Sequence, residues 1–287
     1  FVIGVAATIL QVVLNLYRTV CRIGKTTALQ RQMIGGTSNS IGMAIAPLVI
    51  SYLIFHGTPL HDIVTKQFII PLIILILIML IITILVGKTQ MPSIDNVRQV
   101  PGEKFDKSVW SFRNLKLGVW GIFFYVGIEV AVGANVNMYA SELGGSFASN
   151  ATHMAALYWG LLLLGRFLGS FIKQVPSEKQ LVIASIGAIV LLVLAMLTAN
   201  PWILTLIGFF HSIMWPAIFT LATDQLGKYT TKASGVLTMG VIGGGIIPLL
   251  QGIFADVMGG NWLWTWLLVI AGEAYILYYG LNGYKQH

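Results

Sequence analysis

The sequence predicts an all-α protein that crosses a lipid bilayer several times. Hydrophobic residues make up 56% of the chain and charged residues only 9%, and the mean hydropathy is +0.83. A soluble domain could not cover its surface with so few charges. The apolar stretches reach the roughly 20 residues that a helix needs to cross a bilayer. Since lipid offers the backbone no hydrogen-bond partners, each stretch should be helical.

Nine apolar stretches are candidate membrane spans. They cover residues 1–20, 33–55, 68–87, 115–140, 152–173, 180–199, 202–223, 233–255 and 262–284. Asn200 followed by Pro201 marks the turn between the sixth and seventh stretches. The single cysteine, Cys21, excludes an intrachain disulfide and a thiolate metal cluster, so we expect no metal site and no bound cofactor.

The basic residues predict the orientation of the chain in the membrane. Of the 17 Lys and Arg residues, 16 fall on one set of alternate loops, and Lys66 alone falls on the other set. The positive-inside rule therefore predicts that the first set, and with it the C-terminus, is cytoplasmic. The net charge of +7 follows from this asymmetry, so no nucleic-acid partner is expected.

The longest hydrophilic segment, 88–114, predicts a cytoplasmic linker between two helical bundles. Three apolar stretches precede it and six follow it. Many transporters consist of two six-helix halves joined by a central loop. We therefore predict a partial N-terminal bundle over 1–87 and a six-helix C-terminal bundle over 115–287, with three helices of the first half lacking.

Glu129 is a carboxylate near the middle of its apolar stretch. At that depth it must be neutral, paired or facing water, which predicts a role in binding a substrate or a cation. Tyr125 lies one turn before it, and Asn135 and Asn137 follow in the same stretch. Neighbours two residues apart cannot share a helix face, so at most one of these amides joins Glu129 directly. The alternative role of Glu129 is an interhelical hydrogen bond that fixes packing.

Amide side chains provide further candidate contacts for a solute. Gln11 and Asn15 are four residues apart and so share a helix face. Asn39 and Gln251 lie in two other apolar stretches. Amides both donate and accept hydrogen bonds, which suits the hydroxyls of a sugar. The alternative is that they hold helices together.

Four ionisable residues are candidates for a gate or a proton relay. Glu273 lies inside the last stretch, and we favour peripheral packing for it over a place on the pathway. His211 lies inside the seventh stretch, where it could relay protons, although a hydrogen-bonded structural imidazole is favoured. Arg166 and Asp224 both lie near predicted cytoplasmic helix ends, where an ion pair between them would latch the inner gate.

Two aromatic residues and several glycines complete the set of candidates. Tyr158 and Trp215 lie at membrane depth, where aromatic rings can stack on the apolar face of a sugar or simply pack. Pro248 should break or kink its helix. Two pairs of glycines with the spacing that allows close helix contact are Gly165 with Gly169 and Gly240 with Gly244.

Several segments together resemble one family. FFYVGIEVAVGANV, YWGLLLLGRFLGS, MWPAIFTLATDQLGKYT and ASGVLTMGVIGGGIIPLLQGIFAD resemble the fucose/glucose/galactose symporters of the major facilitator superfamily. FVIGVAATILQVVLNLYRTV followed by GTSNSIGMAIAP resembles the fourth and fifth helices of that family. The resemblance implies major facilitator-type bundles, of which this chain has helices four to twelve. It also implies a multi-pass protein of the bacterial inner membrane, monomeric at full length, that moves a hexose with a proton or a sodium ion.

The resemblance extends to individual positions. Gln11 stands where fucose-type members have glutamate and glucose-type members have glutamine, and Glu129 stands where glucose-type members have an acid. Both residues favour a glucose- or galactose-like relative. Asn15 and Asn39 match the LQVAANPY-like and NSFG-like strings of the family.

Departures from the family pattern and two alternative functions remain. Leu16 replaces the usual proline, and Gly36 replaces a glutamine expected to contact sugar, so the sugar itself is not fixed. A membrane-embedded enzyme would need His, Asp or Glu clustered at a membrane face, where only Asp256 and scattered histidines occur, so no enzyme is expected. A non-transporting sugar sensor or an inert remnant of a transporter is the remaining alternative.

Overall fold

The regular structure is helical in every part of the chain that the structure describes. This computed structural model describes residues 2–21, 23–48, 66, 69–90 and 105–286, with the backbone alone for 43–48. The chain divides into two compact units, Phe1–Ser38 with Ile94–His287 and Asn39–Ser93, which are described separately below. The boundary between them falls within one helix.

Eleven α-helices occur within the described ranges. They are α1 Val2–Val20, α2 Ala28–Leu48, α3 Ile69–Lys88, α4 Arg113–Leu143, α5 Gly145–Ser149, α6 Ala151–Gly169, α7 Ser177–Thr198, α8 Pro201–Thr223, α9 Thr230–Met239, α10 Gly243–Val257 and α11 Trp266–Tyr278. Short 3₁₀ turns precede α4, α9, α10 and α11, and a π-helical turn, Tyr279–Gly283, follows α11.

Within the described residues, each of the nine predicted stretches overlaps a helix, and the eighth overlaps the pair α9 and α10. Six helical segments of the described chain are long and apolar enough to cross a membrane. These segments are Val2–Val20, Ile69–Lys88, Arg113–Leu143, Ser177–Thr198, Pro201–Thr223 and Gly227–Val257. The count of nine spans therefore stays a prediction. So does the division into two bundles, because most of the predicted linker, 91–104, lies outside the described residues.

The predicted turn at Asn200 is confirmed. Ala199 has a left-handed backbone with φ of 47°, which ends α7. The Asn200 side chain then accepts a hydrogen bond from the Trp202 backbone N–H at 3.0 Å, and Pro201 occupies the first turn of α8. A side-chain N-cap followed by proline is a strong helix start, so α7 and α8 are two separate helices.

Helix α4 is the centre of the carboxyl-terminal part of the first unit. It packs against α6, α8, α9, α10 and α11, while α8 also packs against α6 and α7, and α11 against α7. With 31 residues, α4 is about 46 Å long at the usual helical rise. Its inward face carries Ile122, Ile128 and Val132, which are completely buried. This packing brings the middle of α4 next to three other long helices.

The eighth stretch is interrupted where it approaches α4. A 3₁₀ turn, Gly240–Ile242, separates α9 from α10. A Cβ atom at Gly243 would lie 1.9 Å from the Phe123 backbone oxygen, so only glycine fits this approach. Helix α10 continues through Pro248 to Val257. Pro248 therefore does not break the helix, which is interrupted at the glycines instead, while a kink at Pro248 stays a prediction.

The glycines of α6 allow close contact with two helices, as their spacing predicts. A Cβ atom at Gly165 would lie 2.3 Å from the Ser212 hydroxyl oxygen on α8. A Cβ atom at Gly169 would lie 2.3 Å from the Met33 Cε on α2. Larger residues at either position would push these helices apart.

The corner between α1 and α2 is held by Arg31. Its guanidinium donates to the backbone oxygens of Arg18, Thr19 and Thr26, each at 2.7 Å. Gln32 donates a further bond to the Asn15 backbone oxygen at 2.7 Å. The bonds to Arg18 and Thr19 satisfy carbonyls that the end of α1 leaves without helical partners.

Two hydrogen bonds connect α1 and α2 to the carboxyl-terminal helices of the same unit. The Ser234 hydroxyl on α9 donates to the Val12 backbone oxygen on α1 at 3.1 Å. The Gln30 side chain on α2 donates to the Ser170 backbone oxygen, just after α6, at 2.8 Å. Each helix of the corner therefore has its own contact with the bundle.

The second unit contains the end of α2 and all of α3. Helix α3 is apolar on every side, and none of its residues is buried. A helix that is apolar all round is typical of a membrane span.

Candidate functional site

Glu129 forms an ion pair with an arginine on a neighbouring helix. The Arg166 Nη2 atom on α6 lies 3.2 Å from the Glu129 Oε1 atom on α4. The Tyr125 hydroxyl, one turn earlier on α4, donates to the same oxygen at 2.8 Å. Only 13% of the Glu129 side chain and 9% of the Arg166 side chain are exposed. The sequence predicts that this carboxylate is neutral, paired or facing water, and the structure shows it paired.

Tyr158 on α6 contacts the backbone of the same residue. Its hydroxyl donates to the Glu129 backbone oxygen at 3.1 Å and lies 2.6 Å from the His211 Nδ1 atom on α8. A Cβ atom at Gly208 would lie 2.3 Å from the Tyr158 backbone oxygen, so this glycine lets α6 and α8 approach. Tyr158, predicted from the sequence as a site residue, is thus next to Glu129.

His211 is also bonded to Glu273. The His211 Nε2 atom lies 2.6 Å from the Glu273 Oε1 atom on α11, and both side chains are 0% exposed. Glu273 therefore contacts a neighbouring helix, α8, from a buried position, and whether it lies on a transport pathway stays untested. The second carboxylate oxygen, Oε2, is buried without a hydrogen-bond partner among the described residues.

These contacts form one continuous group, which we term the buried network. Its members share direct polar contacts across α4, α6, α8 and α11. They are Arg166, Glu129, Tyr125, Tyr158, His211 and Glu273. Three members, His211, Glu273 and Arg166, were sequence candidates for a gate or relay, and the structure brings all three together.

The network also touches α2. A Cβ atom at Gly36 would lie 3.3 Å from the Arg166 Cδ atom, so a side chain at this position would press on the arginine. The family departure at Gly36 therefore falls beside the ion pair. Trp215 is half-buried, its ring centroid lies 6.5 Å from that of Tyr125, and it stacks on Phe219 at 6.3 Å. A sugar-stacking role for Trp215 stays a prediction.

Asn135 and Gln251 form a separate polar cluster. The Asn135 amide donates to the Gln251 side-chain oxygen at 3.0 Å, and the Gln251 amide donates to the Thr265 hydroxyl at 3.1 Å. The bonds join α4, α10 and the 3₁₀ turn before α11, so the hydrogen bond that the structure describes for Asn135 is to Gln251 and not to Glu129. This geometry fits the helix-joining alternative, and a binding role for either residue stays a prediction.

The amides of α1 and α2 are placed differently from one another. Gln11 is exposed, whereas Asn15 is only 5% exposed, although the two share a side of α1. The Asn15 amide nitrogen is buried without a hydrogen-bond partner in the described part of the chain. Asn39 is exposed and belongs to the second compact unit. The binding roles of these three residues stay predictions.

Asp224 ends α8 at the surface. Its backbone oxygen accepts hydrogen bonds from Asn114 at 3.3 Å and from Gln286 at 3.1 Å, and its side chain is exposed. The ion-pair partner that the structure shows for Arg166 is Glu129. A latch between Arg166 and Asp224 stays a prediction for another state of the protein.

The chemistry of the buried network suits a polar solute and a proton. Guanidinium donors and a carboxylate acceptor lie side by side, as hydroxyl groups of a solute require. The His211 ring lies between the Tyr158 hydroxyl and the Glu273 carboxylate, within hydrogen-bond distance of each. Within the described ranges, no group of three or more His, Cys, Asp or Glu side chains has the arrangement of a metal site.

Comparisons with known proteins assign the chain to a superfamily. The Major Facilitator Superfamily profile matches residues 30–241. A glucose/galactose transporter of Brucella abortus is 34% identical over 295 residues, which cover 100% of this chain and 71% of that protein. A putative glucose/galactose transporter of Helicobacter pylori is 35% identical over 86% of this chain and 64% of its own length. The L-fucose-proton symporter of Escherichia coli is 28% identical over 66% of this chain and 45% of its own length.

Solved structures show the same fold. The crystal structure of the E. coli fucose:proton symporter matches with a TM-score of 0.79 at 23% identity, over 96% of this chain and 73% of that chain. A crystal structure of this symporter in the outward conformation matches with a TM-score of 0.80. The chain spans about two thirds of the length of the glucose/galactose relatives. It is a multi-pass membrane protein that belongs to the Major Facilitator Superfamily.

Proposed function

We propose that this protein carries a hexose of the glucose or galactose type across the bacterial inner membrane together with a cation. The names of the Brucella and Helicobacter relatives support the solute class, and that of the E. coli relative supports a proton as the cation. The observation that carries the proposal is the ion pair between Glu129 and Arg166 among four packed helices. No chemical conversion of the solute and no bound cofactor are proposed, and the full-length protein is taken as a monomer.

The ion pair suits a neutral, hydroxylated solute. A sugar hydroxyl both donates and accepts, so it can bond to the Glu129 carboxylate and to the Arg166 guanidinium at once. The Glu129 side chain is 13% exposed, so the residue is not completely enclosed by protein. The positive charge of Arg166 offsets a negative charge on Glu129 at a depth where an unpaired carboxylate would be expensive.

Alternating access requires contacts that can break and reform. The bonds from Ser234 to Val12 and from Gln30 to Ser170 join α1 and α2 to the carboxyl-terminal helices. Ser170 follows α6 on the side that the basic residues predict to be cytoplasmic. We propose that these contacts belong to a closed cytoplasmic gate and separate when the hexose is released inward.

The first prediction tests Glu129 in proteoliposomes that contain the full-length protein. Labelled glucose or galactose should accumulate against its gradient when an inward proton or sodium gradient is imposed. Glu129→Gln removes the carboxylate charge and should lower this accumulation at least about tenfold. Glu142→Gln is the matched control, because Glu142 lies near the end of α4, where it accepts from the Trp262 backbone at 2.8 Å.

Three results would contradict the proposal. Accumulation that Glu129→Gln leaves intact would remove Glu129 from coupling. Hexose binding without flux in the unaltered protein would support a sensor. The absence of both binding and flux would support a transporter remnant.

A further inference from the structure

The contact between His211 and Glu273 has room for only one kind of cation. Nε2 and Oε1 are 2.6 Å apart, which is hydrogen-bond distance, so only a proton fits between the two atoms. Both side chains are completely buried. A sodium ion would need several oxygen ligands around it, and here the pair is enclosed by packed helices.

The charges of the buried network balance with a single bound proton. Arg166 carries a permanent positive charge, whereas Glu129 and Glu273 are each negative when ionised. With a neutral imidazole at His211, the four groups have a net charge of −1, and one added proton makes them neutral. Because a net charge is expensive inside a membrane protein, this one-proton state is the stable one.

The remaining charged side chains around the pair lie at the surface. Helix α7 packs against both α8 and α11. The ionisable residues of α7 lie in its first turn, and those of α9 and α10 lie at exposed positions. These residues are Glu178, Lys179, Lys232 and Asp256. Helix α4 carries its ionisable residues outside the network at its two ends, and α6 carries an exposed histidine near its start; they are Arg113, Lys116, Glu142 and His153. The Tyr275 hydroxyl on α11 and the Tyr279 hydroxyl in the following π-helical turn donate to backbone oxygens of α4. The proton balance near His211 is therefore set by the network.

We propose that His211 and Glu273, termed the His–Glu pair, hold the coupling proton. Tyr158 links the protonation of this pair to Glu129 through its hydrogen bond to the Glu129 backbone oxygen. The inference rests on the proposed function and deepens it by naming the cation and its site. While Glu129 is paired with Arg166, the pair holds the added proton as a second hydrogen on the His211 ring, and the Nε2 hydrogen is donated to the Glu273 carboxylate. His211 then has a hydrogen on Nδ1, which is donated to the Tyr158 oxygen. The single hydroxyl hydrogen of Tyr158 is left for the Glu129 carbonyl, as in the structure.

Release of the proton reverses these bonds. The proton on Nδ1 leaves to water, and Glu273 keeps its negative charge. Neutral His211 then donates from Nε2 to that carboxylate, which leaves Nδ1 as an acceptor. The Tyr158 hydrogen turns from the Glu129 carbonyl to Nδ1, so α4 loses a bond beside the ion pair. The network is then left with one unbalanced negative charge, and α4 is held less tightly beside the ion pair.

The second prediction concerns Glu273→Gln in proteoliposomes with the full-length protein. Glutamine can accept from His211 Nε2 but cannot hold an exchangeable proton. Hexose accumulation driven by a proton gradient and hexose-dependent proton uptake, followed with a pH-sensitive dye, should both fall at least about tenfold. Exchange of labelled for unlabelled hexose at equal pH, which needs no net proton movement, should stay within about threefold.

Two further variants separate proton binding from folding. Ser185→Ala changes a completely buried polar residue on α7 outside the network and should alter neither readout. The double variant Glu273→Leu with His211→Phe removes both partners, which a buried pair tolerates better than the loss of one, and should reproduce the loss of proton uptake while exchange continues.

Distinct results separate this inference from the proposed function. If the unaltered protein exchanges no hexose, the proposed function fails. If it accumulates hexose with sodium alone and without proton uptake, hexose transport stands and the His–Glu pair is not the coupling site. Retained proton uptake in Glu273→Gln overturns the inference. So does equal loss of accumulation and exchange, which would make Glu273 a structural or sugar-binding residue.

Discussion

Glu129 and Glu273 are both carboxylates at membrane depth, yet they have different partners. Glu129 contacts a guanidinium at 3.2 Å and keeps 13% of its side chain exposed. Glu273 contacts an imidazole at 2.6 Å and is completely buried. A guanidinium cannot give up its proton, whereas an imidazole can. The two proposals therefore assign different roles to the two carboxylates. Glu129 with Arg166 provides a fixed charge for the solute, and Glu273 with His211 holds the proton in a buried position.

Tyr158 joins the two carboxylates into one network. Tyr158 contacts both, through the Glu129 backbone oxygen and through His211. It bonds to the helix that carries Glu129 and not to the carboxylate itself. A change at the His–Glu pair therefore reaches Glu129 as a change in the bonding of α4.

The largest effect in this comparison should come from Arg166→Met. The substitution leaves Glu129 without its cation, and breaking one partner of a buried ion pair typically costs about 3–5 kcal/mol. We expect hexose exchange in proteoliposomes to fall at least about 100-fold, because the fixed charge serves the solute in every state. Lys179→Met, at the exposed start of α7, is the control. If hexose exchange continues in Arg166→Met, the ion pair is not needed for the solute, and the proposed difference in role between Glu129 and Glu273 is wrong.

An intermediate effect is expected from Gly208→Ala. The new Cβ atom would lie 2.3 Å from the Tyr158 backbone oxygen and would force α6 away from α8. Overpacking of this kind costs about 1–3 kcal/mol, to be measured as a lower unfolding temperature in detergent. Accumulation should fall more than exchange, since the bond between Tyr158 and His211 is stretched first. Gly160→Ala, with nothing within 4 Å of its Cβ position, should leave both unchanged.

The smallest effect should come from Tyr158→Phe, which removes the link and keeps both sites. Loss of one buried hydroxyl typically costs about 1 kcal/mol, so we expect proton-driven accumulation to fall about fivefold with exchange preserved. Tyr275→Phe is a close control, because the Tyr275 hydroxyl bonds to the Leu117 backbone oxygen of α4 at 3.0 Å outside the network. Equal behaviour of the two variants would argue against a special role for Tyr158.

Much of the fold follows from the sequence because lipid imposes it. Long apolar stretches must be helical in a bilayer, and every predicted stretch overlaps a helix. The helix start at Asn200 could be predicted because the signal lies in adjacent residues. The interruption at Gly240–Ile242 could not be predicted, because it depends on the close approach of Gly243 to the Phe123 backbone on another helix.

The members of the site were predictable, and their pairing was not. Glu129, Arg166, His211 and Glu273 each stand out as ionisable residues in apolar stretches. Their contacts join residues 37 and 62 positions apart in the sequence, which no helical spacing encodes. Arg166 shows the difficulty, since sequence position suggested Asp224 as its partner while the crossing of α4 and α6 supplies Glu129.

Arg31 makes two bonds to the end of α1 and one to Thr26 in the connection to α2, and this arrangement has a mechanical consequence. A corner fixed by three carbonyl contacts cannot flex without losing several bonds together, so α1 and α2 move as one lever. One arm of this lever touches α9 at Ser234, and the other touches the end of α6 at Ser170. We therefore expect the contacts at Ser234 and Ser170 to open together, so that the proposed cytoplasmic gate opens in a single step.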